Sequence, residues 1–219
     1  MSGQTHLEKE TSYRAPGNGW TRFARIVTNV TVPPFLAIPT YIVLGSYDQE
    51  RIGSSYNLFI SLIIAITFSF TVPVITVLVL RSQQKVSDVH ITIREQRTVP
   101  FLITIVSYII GSGLLWLVSG PSRLAATMLC YTTISIAIML INFYWKISVH
   151  AAGVGGPLAA LTLTIGWVAV PFFILIPLVD WARVYLKAHT VGQVVAGSFL
   201  GYFATLLQIL LLFRPVGWF

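Results

Sequence analysis

Charge is what this sequence has least of. Asp, Glu, Lys and Arg make up 10% of its 219 residues, whereas a soluble domain averages about 25%. Mean hydropathy is +0.79. The deficit excludes an ordinary soluble domain and predicts an integral membrane protein. Cysteine is nearly missing as well. Cys130 stands alone in an apolar run, so an intramolecular disulfide is excluded and the redox compartment cannot be read from it. The seven acidic residues are scattered, which leaves no carboxylate cluster to hold a metal, and no cofactor is expected. The opening 24 residues are polar and carry Pro16, Gly17 and Gly19. They lack the basic-then-apolar order of a cleaved signal peptide, so the first apolar run reads as a retained signal anchor.

Long uncharged runs are abundant. A helix needs about 20 apolar residues to cross a bilayer, and six runs qualify: 26–47, 56–80, 99–122, 124–145, 151–179 and 190–213. None alternates with the period of a barrel strand. The expectation is an all-α, polytopic transmembrane helical bundle: a polar N-terminal segment (1–24), then one membrane domain (25–214). The 29-residue run 151–179 reads either as one tilted helix or as two helices, 148–165 and 167–184, broken near Gly166. The bundle accordingly has six or seven spans.

The two-helix reading places 11 of the 14 Lys and Arg residues on one face, leaving Arg51, Arg123 and Arg214 on the other. The positive-inside rule then puts the N-terminus in the cytoplasm, with the protein in the inner or plasma membrane. The net charge of +7 lies between apolar runs, which favours anionic lipid headgroups or a phosphorylated ligand over nucleic acid.

Three polar clusters share that basic face. In HITIREQRTVP (90–100), a helix would align His90, Arg94 and Arg97 as one cationic stripe. KISVHAAGVGG (146–156) sets Ser148 and His150 at a helix entrance. RVYLKAHTVGQVVAG (183–197) gathers Arg183, Lys187 and His189 before the last span, with Gln193 one turn beyond His189. Arginine forks match phosphate oxygens, and helix N-termini add unpaired N–H donors. One histidine can attack phosphorus while another protonates the leaving group. Singly, each residue has a plainer reading. An interfacial histidine is commonly just hydrogen-bonded, arginines at helix ends snorkel to headgroups, and the glycine pair Gly197 and Gly201 signals close helix packing.

The order and spacing of these clusters resemble the type 2 phosphatidic acid phosphatase superfamily of membrane lipid phosphatases. That family carries Lys-x6-Arg-Pro, then Pro-Ser-Gly-His, then Ser-Arg-x5-His-x3-Asp. Here the first reads His90, six residues, Arg97, Thr98. The second reads Ile147, Ser148, Val149, His150. The third reads Ala182, Arg183, five residues, His189, three residues, Gln193. The resemblance implies His189 as a nucleophile forming a phosphohistidine, His150 as general acid, and Arg97, Arg183 and Ser148 as phosphate ligands, with His90 and Arg94 beside them. It implies a phosphorylated lipid substrate. His90 replaces the family's lysine, and Gln193 replaces the aspartate that would orient and charge-stabilise the nucleophile. A rival expectation follows from those departures: a non-catalytic relative that binds lipid or serves as a subunit of a larger membrane complex. Haem ligation by His150 and His189 leaves the arginines unexplained, and a retinal protein is excluded because the last span has no lysine.

Overall fold

The computed structural model describes residues 18–219, so most of the polar N-terminal segment lies outside the described residues. Within them every regular element is helical. Helix α1 (Gly19–Val30) is capped by Asn18 and followed after a bend by α2 (Pro33–Ile52). Helix α3 (Ser55–Ile66) continues through a π-helical turn, Thr67–Thr71, into α4 (Val72–Ser82). A 3-10 turn at Arg94–Arg97 leads into α5 (Thr98–Ser119), and α6 (Arg123–Asn142) returns. Helix α7 (Val149–Ile165), a 3-10 segment (Gly166–Ile174), α8 (Leu175–Tyr185) and α9 (Val191–Gln208) complete the bundle, with a π turn at Ile209–Phe213.

Five stretches are long and apolar enough to cross a membrane: Ser55–Ser82, Arg94–Ser119, Arg123–Asn142, Val149–Tyr185 and Val191–Phe213. A sixth is added if the bent pair α1–α2 is one span. The architecture is that of an all-α membrane protein.

Three local features have clear causes. The run 26–47 is not one straight helix, because α1 and α2 meet at 53°. Pro33 and Pro34 open α2, and a residue before proline is driven out of the helical region; Val32 accordingly sits at φ −58°, ψ 132°. The run 151–179 is broken, because Gly166 adopts φ 58°, ψ −130°, which a side chain resists. As one helix, Val149–Tyr185 would extend about 55 Å, yet Val154 and Leu158 pack in one cluster with Val179 and Ala182. The chain therefore doubles back at Gly166. Third, the π turn bulges Phe68 against Gly111, where a Cβ would lie 2.6 Å from the Phe68 Cβ. The carbonyl of Phe68 is freed there and accepts from the Ser107 hydroxyl at 2.8 Å.

Helices α7 and α9 approach most closely, and glycine permits it. A Cβ on Gly201 would fall 2.2 Å from the Ala152 carbonyl oxygen, and one on Gly197 2.5 Å from that of Ser148. Small residues let backbones meet in this way inside a bilayer, where hydrophobic association gives little. Gly201→Ala should force the two helices apart and cost about 1–3 kcal/mol. A lowered melting temperature in detergent checks this, and an unchanged one contradicts it.

Each end of the bundle has its own polar stitching. At one end the buried Asp48 carboxylate accepts from Arg123 at 2.7 Å, joining α2 to the start of α6. At the other end Ser148 N–H donates to the Gln193 carbonyl, and Asn29 meets His90.

Candidate functional site

The site is built where α5, α7 and α9 begin and α8 ends. Ser148 caps α7, its hydroxyl accepting from Ala151 N–H at 3.3 Å, which places His150 in the first turn. Between α8 and α9 the Arg183 carbonyl accepts from both Ala188 N–H and His189 N–H. Lys187 takes φ 54° within this turn. The last turn of α8, which carries Arg183, and the turn that carries His189 are thus held together.

His189 is oriented by two acceptors. Its Nδ1 lies 3.2 Å from the Lys146 carbonyl and 3.2 Å from Gln193 Oε1. That amide oxygen also accepts from Thr190 N–H at 3.1 Å, within a capping box. A position that takes an N–H from the backbone is an oxygen, and a carbonyl only accepts, so Nδ1 must carry the proton. Nε2 is then left with its lone pair. Gln193 sets the tautomer as an aspartate would, without the charge.

Arg97 is 3% exposed. Its Nε donates to the Ile91 carbonyl at 2.8 Å and its Nη1 to the Ile147 carbonyl at 3.3 Å. The segment 83–93 before its 3-10 turn is not helical. The Asp88 carboxylate accepts from His90 N–H at 2.8 Å and Thr92 N–H at 3.0 Å, and this local pairing competes with a helix. The expected cationic stripe is therefore broken. His90 turns toward His150, ring centroids 5.4 Å apart, and its Nε2 meets Asn29 Oδ1 at 3.1 Å. Arg94 points elsewhere, to Glu95 at 3.1 Å and the Phe143 carbonyl at 3.3 Å.

His90, Arg97, His150 and His189 line the head of a cavity of about 520 Å³. Arg183, Ser148 and Gln193 stand behind that lining, and Arg94 does not join it. Among the described residues, His150 Nε2, His189 Nε2 and Arg183 Nε are buried without a hydrogen-bond partner. Buried polar atoms left unpaired are costly, and three at one place mark a site shaped for a ligand. Asn29 and Asn142 also belong here; the Asn142 amide donates to the Arg94 carbonyl at 3.2 Å. Two amides inside uncharged runs gave no charge signal in the sequence. No group of three or more His, Cys, Asp or Glu side chains able to hold a metal occurs among the described residues.

The electrostatics favour an anion. Burial pushes the His189 imidazole down to about 3, and the charges of Arg183, Arg97 and Lys146 add to the effect. Burial and then Arg183 lower His90 as well, against the pull of Asp88. For Asp88 itself, burial is outweighed by its hydrogen bonds from Thr92, His90 and Ser87, which hold the carboxylate below its ordinary value.

A pH dependence of stability follows. Unfolded histidine titrates near about 6.5, and the folded protein resists protonation at His189 down to about 3. Stability is therefore lost as pH falls below the unfolded value. The loss attributable to His189 is roughly 2 kcal/mol by about pH 5. Melting temperatures in detergent should drop between about pH 7.5 and about pH 5, and less steeply in His189→Gln. Parallel curves for the two proteins would contradict the assignment.

No protein-family model matches the chain, and neither a curated protein nor a solved structure matches it. The functional reading rests on the side chains themselves.

Proposed function

We propose that the protein is a membrane lipid phosphatase of the type 2 phosphatidic acid phosphatase kind, hydrolysing a lipid phosphate monoester or diphosphate through a phosphohistidine. The observation that carries this reading is a trio of buried, unpartnered atoms: His189 Nε2 and His150 Nε2 at a cavity head that also presents Arg97, and Arg183 Nε behind its lining. A phosphate dianion would pair with both arginines and accept from protonated His150 Nε2, with phosphorus facing the lone pair of His189 Nε2.

In this reading His189 Nε2 attacks phosphorus, and the bond from phosphorus to the leaving oxygen breaks. Protonated His150 gives its Nε2 proton to that oxygen. His150, now neutral, takes a proton from water as the water attacks the phosphohistidine, releasing inorganic phosphate and freeing His189. The dianion itself supplies the negative charge that favours a protonated His150. Guanidinium groups do the work of charge neutralisation, so the chemistry calls for no metal.

The same reading counts seven crossings: α2, α3–α4, α5, α6, α7, the reversed stretch from Gly166 through α8, and α9. Helix α1 then lies along the basic face, which we place with the N-terminus in the cytoplasm. Its exposed Phe23, Ile26 and Val30 meet lipid, while Arg22, Arg25 and Asn29 occupy the adjoining polar strip.

One observation favours a second reading. Gln193 brings no charge to His189, as in a relative that binds lipid or serves as a subunit without turnover. Phosphate release by purified protein in detergent with EDTA decides between them, using a medium-chain alkyl phosphate, phosphatidate and a polyprenyl diphosphate. Release from at least one is expected. None from any of the three, by folded protein, overturns catalysis and leaves the second reading.

A further inference from the structure

The cavity does not stop at the polar head. It descends between α2, α4, α5, α6 and α7, walled by Val74, Val77, Phe101, Ile134, Ile138 and Val149. Tyr108 and Tyr131 close it below, their rings 6.0 Å apart. Behind them the buried Tyr41 packs on Tyr131 at 6.0 Å, so the floor is backed by core.

Its dimensions limit what can enter. From Arg97 at the head of α5 to Tyr108 at the floor is eleven residues, or about 16 Å at about 1.5 Å per residue. Three bonds of extended chain cover about 3.6 Å, so this depth takes about thirteen bonds. The floor therefore meets an extended chain at about 13 carbons.

We propose that this cavity selects the chain length of a lipid phosphate, admitting an apolar chain of up to about 13 carbons beneath a phosphate that sits among Arg97, His150 and His189. The inference rests on the reading of the cavity head as a phosphate site, but it concerns binding and does not require turnover. In a bilayer, moving a chain from lipid to protein gains little hydrophobic free energy, since both surroundings are apolar. Selection therefore comes from the floor, which a longer chain meets.

The test is a ruler experiment on the full-length protein in nanodiscs. Alkyl phosphonates of about 6 to about 20 carbons are ranked by the thermal shift they produce at fixed concentration. The shift should rise with length, stop near the cavity limit and then decline. Thr104 lines the cavity one turn above Tyr108. Thr104→Phe should lower the cutoff by about four carbons, the length of one helical turn. Tyr108→Ala should raise it; should that variant not fold, Thr104→Phe alone carries the test. Partition into lipid grows with each carbon in wild type and variants alike, so only a floor produces a limit that moves. A shift rising without limit, or a cutoff unmoved by Thr104→Phe, overturns the inference, whether or not the protein releases phosphate. A cutoff that moves in a protein without phosphatase activity sustains the inference and removes the catalytic reading alone.

Discussion

His189→Ala should reduce phosphate release by at least roughly a thousandfold, the scale seen when a covalent nucleophile is removed, while the protein stays folded. The ring makes two hydrogen bonds, to the Lys146 carbonyl and to Gln193. Gln193 keeps its own bond from Thr190 N–H when the ring is gone, so the cap of α9 survives. Burial and three nearby cations keep the imidazole unprotonated down to about pH 3. Its lone pair is then available across the neutral range, and the acid limb of kcat/KM should fall well below about 6.5, where free histidine titrates. An alanine variant that retains most of the activity would remove His189 from the chemistry.

The amide beside it offers a gain-of-function counterpart. Attack on phosphorus turns a neutral imidazole into a cation, and Gln193 meets that charge with only a dipole. Glutamate has the same length and also serves at the third position of a capping box. Gln193→Glu should therefore keep the geometry, raise the His189 pKa from its low value and speed the first step about tenfold, the equivalent of 1.4 kcal/mol of added charge stabilisation. Burst-phase phosphorylation at neutral pH measures it. A slower burst would show that the neutral amide is the better partner.

Much of the bundle was legible because lipid imposes a length. Five runs between charges correspond to helices whose ends fall near the charges that bound them, whereas the length of 151–179 left one tilted helix and a break near Gly166 both open. The bend between α1 and α2 was hidden for the opposite reason. Counting charges treats 26–47 as continuous and gives no weight to Pro33 and Pro34, which decide the geometry. Around the site, spacing carried information wherever a helix start fixes direction, as at Ser148 with His150 and at His189 with Gln193. It misled at 90–97, because Asp88 captures the amides of His90 and Thr92 and sends Arg94 away from Arg97. The long apolar cavity was not legible at all. Its walls come from five helices, and which apolar residues leave a gap depends on packing between segments far apart in sequence.

Arg183→Lys should be the more searching substitution at the arginines. Arg183 is 3% exposed, and its Nε has no partner among the described residues. The turn it anchors is held by its backbone carbonyl, so a lysine leaves the fold of residues 183–189 in place. Lysine also keeps the positive charge that, after burial, depresses His189. What it loses is the planar fork that contacts two phosphate oxygens at once. If the fork holds the phosphoryl group as charge develops, kcat should fall about a hundredfold, as when one positioned donor is removed from a transition-state site. Charge and fork can be separated with Arg183→Ala, which also removes the cation. The acid limb of kcat/KM should move upward in the alanine variant and stay in place in the lysine variant. Full activity in Arg183→Lys would make the guanidinium a counter-charge to Asp88, whose field it shares, and would leave Arg97 as the arginine that grips phosphate.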